Sequence, residues 1–386
     1  MTPGARVAAA IDVLDLIADG QPVERALTTW ARRSRFAGSK DRAAVRDYVF
    51  GVVRNRRSDA VRGGGETGRA LMLGRLSDQG DDLDALFHGE GHAPTPLSDE
   101  ERAITAQPVD AADVWDLPDW LIAEFKTALG DTAASVAQIL KSRAPITLRV
   151  NSAKTSPSQV TSLLADEGVE VLPNPLCDIA LTITEGARKL RNSECYQEGL
   201  VELQDAASQA VVSALPEGQK VLDYCAGGGG KSLGMAAQKR NVVAHDIDFD
   251  RMRDLPDRAR RADAQIKLLA TDLLAGEGPF DIVLVDAPCS GSGAWRRSPE
   301  AKWVLTPERL NELTTIQDEI LDQVQSLVGA GGTLVFATCS VLKCENEDRV
   351  AAFLGRNSGW ECTQQSRINV SPEGDGFFHA HLTRVI

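Results

Sequence analysis

The sequence predicts an α/β protein in which a doubly wound, mainly parallel sheet is preceded by an all-α part and a small α/β subdomain. Three observations carry that reading. From Ala206 onward, apolar runs of strand type at 220–224, 241–245, 266–270, 281–285 and 332–337 alternate with helical stretches, the pattern of parallel strands joined by helical crossovers. The first of these runs ends in a glycine loop, Cys225-Ala226-Gly227-Gly228-Gly229-Gly230-Lys231-Ser232, at the kind of strand end where an open α/β sheet places its chemistry. Near the N-terminus, by contrast, apolar residues recur three or four apart, as Val7, Ile11, Leu14 and Ile17 and again as Val45, Val49 and Val52-Val53, the spacing of a helix face.

Taken in order, residues 5–57 read as helices, and the last of them, Asp41 to Arg57, has an apolar face and a basic end. The stretch 63–96 holds Gly63-Gly64-Gly65, acidic clusters and Pro94-Thr95-Pro96, so short helices at 70–76 and 83–87 are expected between long loops. Helical signals continue through 118–140, where Trp120, Ile122, Phe125 and Leu129 recur on one side, and a boundary follows near Ala144-Pro145. Beyond it come a strand at 146–150, a helix at 158–167 started by Ser156 or Ser158, and a strand at 169–172. The expected domains are 1–143, 144–205 and 206–386.

A chain of 386 residues with 43% hydrophobic content has room for two or three domains and a buried core. Its net charge of -13 argues against a general nucleic-acid binder, but the charge is uneven: ten Lys or Arg face three acids from Trp30 to Arg62, and acids dominate 63–131. Seven cysteines without framework spacing point to a reducing compartment and not to disulfides. With no CxxC pair carrying partner ligands and five scattered histidines, no metal is expected. The N-terminus has no apolar signal core, and no run approaches the ~20 apolar residues of a membrane span. A cytoplasmic protein with no membrane partner is the expectation.

Two cysteine phrases give the chemistry its direction. Asp286-Ala287-Pro288-Cys289-Ser290-Gly291 follows the apolar run Ile282 to Val285, and Ala337-Thr338-Cys339-Ser340 ends the run from Thr333. The glycine loop upstream suits a dinucleotide, S-adenosylmethionine or a phosphate. Together these phrases resemble the Sun (Fmu, RsmB-like) family of S-adenosylmethionine-dependent RNA cytosine-C5 methyltransferases. That family carries Cys-Ala-Ala-Pro-Gly-Gly-Lys-Thr in the loop; this chain matches at Cys225, Ala226, Gly229, Gly230 and Lys231 and departs at Gly227 and Gly228. Proline fixes φ and glycine frees it, so a looser cofactor loop is expected. Restoring Ala-Pro should then tighten cofactor binding, provided the loop already has the φ that proline requires.

The resemblance extends along the chain. Asp41 to Arg57 is similar to the end of the family's NusB-like helical domain, Gly199 to Asp205 matches a Gly-x-x-x-x-Gln-Asp phrase closing a small α/β subdomain that commonly helps hold RNA, and Gly374 to Ala380 resembles the closing strand hairpin. It implies a Rossmann-like doubly wound methyltransferase domain, preceded by an all-α NusB-like RNA-binding domain and that subdomain.

C5 of cytosine is a poor nucleophile until a thiolate adds at C6 and turns the ring into an enamine. The resemblance assigns the nucleophile to Cys339 and an assisting role in releasing the methylated base to Cys289. Asp286 is placed to bond the cytosine edge, offsetting charge that develops during thiol addition, and is counted with the cofactor site as well. In the loop from Cys225 to Lys231, backbone N–H groups at a helix start would wrap the methionine part of S-adenosylmethionine, with Lys231 favouring its carboxylate; Cys225 contributes backbone more than sulfur. Asp246 is expected to bind the ribose hydroxyls, with Asp248 as its rival. Asp272 matches the acid that approaches the adenine amino group.

RNA contact is expected from Trp295-Arg296-Arg297-Ser298-Pro299 and Lys302-Trp303, similar to a family phrase after the Pro-Cys loop, and from Arg54, Arg56 and Arg57 at the basic helix end. The implied substrate is small-subunit (16S) ribosomal RNA, and transfer RNA is the nearest alternative. A DNA cytosine methyltransferase would use the Pro-Cys thiol as nucleophile, and Thr338-Cys339-Ser340 speaks against it. A non-enzymatic alternative is an RNA-binding adaptor whose cofactor loop has degenerated at Gly227-Gly228.

Overall fold

The computed structural model describes residues 1–385. The chain forms two compact units: 1–126, 131–142 and 295–304 make the first, and 127–130, 143–294 and the chain from Leu305 on make the second.

The first unit is helical. Helix α1 (Pro3–Ala18) starts at Thr2, whose hydroxyl accepts from the Ala5 N–H at 3.2 Å, with Pro3 in the first turn where its missing N–H costs nothing. Its buried face is Val7, Ala10, Val13 and Leu14, while Ile11 and Ile17 are only half-buried. The apolar stripe is therefore rotated from the one read along Val7, Ile11, Leu14 and Ile17, because small alanines let neighbouring helices approach. Helices α2 (Val23–Arg33) and α3 (Ser39–Arg54) add Val23, Trp30, Val45, Val49 and Val52 to the same core.

Helices α4 (Arg56–Gly63) and α5 (Gly68–Gln79) cross closely enough that a Cβ on Gly74 would lie 1.9 Å from the Asp59 carbonyl oxygen, and one on Gly63 1.8 Å from that of Ala70. A stretch that reads as loop punctuation is thus a helix contact.

The second unit begins with a four-stranded antiparallel sheet: β1 (Thr147–Val150), β2 (Glu170–Pro173), β3 (Ala180–Glu185) and β4 (Val201–Leu203), in the order β2-β3-β1-β4. Helix Pro157–Asp166 follows β1 and short helix Glu194–Gln197 precedes β4, completing a split β-α-β arrangement. The first of these helices opens with a reciprocal capping box between Ser156 and Gln159. Strands β3 and β4 were not anticipated as strands.

The large sheet contains β5 (Lys220–Asp223), β6 (Asn241–Ala244), β7 (Ile266–Leu268), β8 (Phe280–Asp286), β9 (Val328–Thr338), β10 (Trp360–Ile368) and β11 (Phe377–Arg384), in the order β10-β11-β9-β8-β5-β6-β7. The strands from β9 to β7 pair in parallel, and the β10–β11 hairpin adds antiparallel. Val283, Val285, Leu334 and Phe336 pack in the core on one face, Ile282, Leu284, Val335 and Ala337 on the other. Burial on both faces is why these strands read as unbroken apolar runs. Chain order reverses between β5 and β8, so the crevice at their carboxyl ends is the switch point where such sheets bind ligands.

Candidate active site

Every cysteine, acid and glycine singled out for catalysis or cofactor binding lies at the carboxyl end of this sheet. The glycine loop follows β5, Asp246 follows β6, Asp272 follows β7, Asp286 is the last residue of β8, and Cys339 immediately follows β9. Parallel pairing of β8 with β9 aligns Asp286 with Ala337, which brings the two cysteine loops side by side. Backbone bonds join them, from the Ala287 N–H to the Ala337 carbonyl at 2.8 Å and from the Gly293 N–H to the Cys339 carbonyl at 2.9 Å. Cys289 Sγ lies 3.4 Å from Cys339 Sγ. The hydrogen bond to Cys339, burial, and the negative charge of Cys339 and Glu345 together push the Cys289 thiol well above the ordinary cysteine range.

Lys231 and Asp286 form the charged centre. The Lys231 ammonium, 7% exposed, is 2.6 Å from Asp286 Oδ2 and lies over the Phe377 ring at 4.8 Å. Burial alone would lower its pKa, but the Asp286 charge and hydrogen bond outweigh that and raise it. Lys231 is thus engaged with Asp286, a pairing that spacing along the sequence does not show. Asp223, unremarked in sequence, is fully buried; it accepts the Ser232 hydroxyl at 2.5 Å, and burial pushes its carboxyl up to about 6. Cys225 is likewise pushed up, by burial first and then by Asp286 and Asp223, so its sulfur stays a thiol.

The glycine loop is tied down at several points. Gly227 donates its N–H to Asp246 Oδ2 at 2.9 Å, and Arg251 pairs with the same oxygen at 3.2 Å. Arg258 donates to the Gly228 carbonyl. Arg149 on β1, 4% exposed, donates to the Gly230 carbonyl at 2.5 Å and to Gln204 Oε1. Gln204 belongs to the phrase that closes the small sheet, which therefore supports the loop directly. His245 at the end of β6 is buried, with Nδ1 2.7 Å from the Tyr224 carbonyl and Nε2 2.9 Å from the Thr271 hydroxyl; burial lowers its pKa. Asp246 is 2% exposed, Asp272 is exposed, and Asp248 caps the turn Phe249–Met252. Beside the two acids, Ile247 and Leu273 are 80% and 56% exposed, apolar surface on a ligand-binding edge that no periodicity could have revealed.

The family model described as 16S rRNA methyltransferase RsmB/F matches residues 210–383, and the RsmF/B-like ferredoxin-like domain model matches 117–188. Ribosomal RNA small subunit methyltransferase B of Citrobacter koseri is 34% identical over 284 residues, an alignment that covers 69% of this chain and 66% of that protein. The chain belongs to the RsmB/F family. Its namesake from Yersinia pseudotuberculosis is 33% identical with the same coverage, so the chain spans a little under two thirds of the length of these relatives. Among solved structures, PH0851 superposes with a TM-score of 0.76 at 23% identity, covering 100% of this chain and 99% of that one. NSun6 from Pyrococcus horikoshii, solved with SFG, gives 0.60 at 17% identity, covering 70% of this chain and 98% of the other. At these identities the likeness is one of fold.

Against the RsmB/F pattern, three expectations change. The loop at Gly227-Gly228 is anchored and not loose, and Gly227 takes φ +51°, a left-handed conformation that disfavours alanine. A following proline would also push residue 227 toward extended backbone. The family's Ala-Pro at these positions is accordingly expected to weaken cofactor binding, where the sequence had suggested a gain. The left-handed strain of about 1–2 kcal/mol corresponds to roughly five- to thirtyfold in affinity. Titration calorimetry with S-adenosylmethionine on the double variant checks this, and equal or tighter binding would refute the backbone path described.

The second change concerns Trp295 to Trp303. Trp295 and Arg296 are 1% exposed and Lys302 is 2% exposed, with Lys302 donating to the Arg54 carbonyl at 2.9 Å and the Trp303 indole to the Val53 carbonyl at 2.7 Å. Trp295 stacks on Phe125 at 5.8 Å. Trp295, Arg296 and Lys302 are thus buried in the helical unit, Trp303 is half-buried, and Arg297 is exposed. Third, the helix-end arginines are used internally: Arg54 donates to the Arg296 carbonyl at 3.1 Å, Arg57 pairs with Asp113 at 2.7 Å and Asp119 at 3.1 Å, and Arg56 pairs with Glu66 at 3.3 Å. Sequence reading saw their charge but could not see acids 56 or 62 residues away.

Proposed function

We propose that this protein transfers a methyl group from S-adenosylmethionine to C5 of a cytosine in small-subunit ribosomal RNA, through a covalent bond between Cys339 and C6. The observation that carries this is the pair of thiols 3.4 Å apart, on adjacent parallel strand ends, next to the Lys231–Asp286 pair. Two sulfurs in that relation suit a reaction with one covalent step to make and one to undo.

The residues present fit the cofactor. Asp223 Oδ1 is buried without a hydrogen-bond partner, the loop crosses this edge as glycine backbone, and Asp246, Asp272, Ile247 and Leu273 offer acidic and apolar groups to a nucleoside. When bound there, S-adenosylmethionine supplies the electrophilic methyl. Cys339 adds its sulfur to C6, forming the S–C bond as the ring electrons move toward C5. Asp286 bonds the cytosine edge, and Lys231 holds that carboxylate in place at 2.6 Å. After transfer, C5 gives its proton to water, the C–H electron pair restores the C5–C6 double bond, and the S–C6 pair leaves on the Cys339 sulfur as a thiolate, which Cys289 is placed to hydrogen-bond.

In this reading, residues 206–386 form the methyltransferase domain, 144–205 the subdomain that braces the cofactor loop, and 1–143 a NusB-like RNA-binding domain. Bisulfite sequencing of total RNA from cells with and without the protein tests it. Loss of protection at one cytosine of 16S ribosomal RNA is expected in the cells lacking it. A change confined to transfer RNA would reassign the substrate, and no change in any RNA would refute the activity.

A further inference from the structure

Glu345 lies in the short turn Lys343–Glu345 just beyond the second cysteine loop and is fully buried, at 0% exposure. Its Oε1 accepts the Ser290 N–H at 2.8 Å and the Gln317 side-chain amide at 3.2 Å. Its Oε2 accepts the Ser340 hydroxyl at 2.6 Å and also the Ser290 hydroxyl. Ser290 and Ser340 are the residues that immediately follow Cys289 and Cys339. One carboxylate thus grips both thiol loops one residue past each sulfur. The same Gln317 amide reaches the Pro288 carbonyl at 2.9 Å, on the other side of Cys289, and Ser292 closes the array by bonding Ser340 at 2.9 Å and accepting the Val341 N–H at 2.9 Å.

Each of these donors to Glu345 is neutral. A buried anion is expensive, and it persists where several charge-assisted hydrogen bonds converge on it. A neutral amide of the same shape could not accept from four donors, so the array needs the carboxylate. Its negative charge also stands beside Cys289, where it opposes a second negative charge.

The geometry points to Glu345 as the positioning residue of the two-cysteine site: its carboxylate locks the Cys289 and Cys339 loops together one residue past each sulfur and so holds the Cys339 sulfur in place for attack. This role rests on the proposed cytosine chemistry, but its test does not depend wholly on it. In Glu345→Gln, the pH midpoint for iodoacetamide alkylation of Cys289, followed by peptide mass spectrometry without RNA, falls as the opposing charge is removed. Single-turnover methyl transfer falls about 10- to 100-fold, the effect of misplacing a reacting group by up to an ångström, while S-adenosylmethionine affinity is unchanged. Glu345→Asp keeps the charge and restores the alkylation midpoint. Ser340→Ala, which releases the Cys339 loop from Glu345 and from Ser292, slows methyl transfer with cofactor affinity intact and serves where Glu345→Gln does not fold. An unmoved alkylation midpoint in Glu345→Gln, or an unchanged rate in Ser340→Ala, overturns the role. A wild-type protein that methylates no RNA refutes the proposed function instead, and the alkylation result still decides for or against Glu345.

Discussion

Cys339→Ala is expected to reduce methyl transfer by about 10³-fold or more, because in the proposed reaction Cys339 is the nucleophile and its loss removes the covalent route. Affinity for S-adenosylmethionine should stay within about twofold, since the glycine loop is held by Asp246, Arg149 and Arg258 and none of these depends on the Cys339 sulfur. Incorporation of a radiolabelled methyl group into RNA, with calorimetry for the cofactor, separates the two. Turnover near that of the wild type would end the assignment of Cys339 as nucleophile. A parallel collapse of cofactor binding would show instead that the thiol supports the fold of the β9 end, where Cys339 also contributes its carbonyl to the Gly293 N–H.

Cys289→Ala has the opposite signature. The first bond to C6 should still form, whereas expulsion of the Cys339 sulfur loses the thiol that stands 3.4 Å away. An RNA–protein adduct stable to denaturant is therefore expected to accumulate, visible as a shifted band on a denaturing gel and absent from the Cys289→Ala/Cys339→Ala double variant. Normal turnover without adduct would make Cys289 a packing residue. The two single variants predict different species and not merely different rates, so together they assign the order of events at the paired sulfurs.

The elements that carry the site were legible because their signals are local. Strands β5, β6, β8 and β9 are buried on both faces, and burial of that kind leaves continuous apolar runs that need no knowledge of a partner strand. The glycine loop and the two cysteine phrases are short, and each lies at the end of such a run. Strand β4 has only three residues and β3, although six residues long, was not read as a strand, while Gly63 was taken for loop because close approach of two backbones has the same composition as a turn.

Residue identity and strand order along the chain were enough to assign the α/β class, the RsmB/F resemblance, and which cysteines and acids gather at one sheet edge. A parallel sheet delivers every strand's carboxyl end to the same side, whatever the details of packing. Tertiary structure alone decided which of those groups meet. It joined Lys231 to Asp286, set Gly227 at φ +51°, gave Arg54 and Arg57 partners within the helical unit, buried Trp295 and Lys302, and drew Glu345 onto Ser290, 55 residues away. Burial and ion pairing depend on distance in space, and distance along the chain carries almost no information about it once the chain has crossed the sheet.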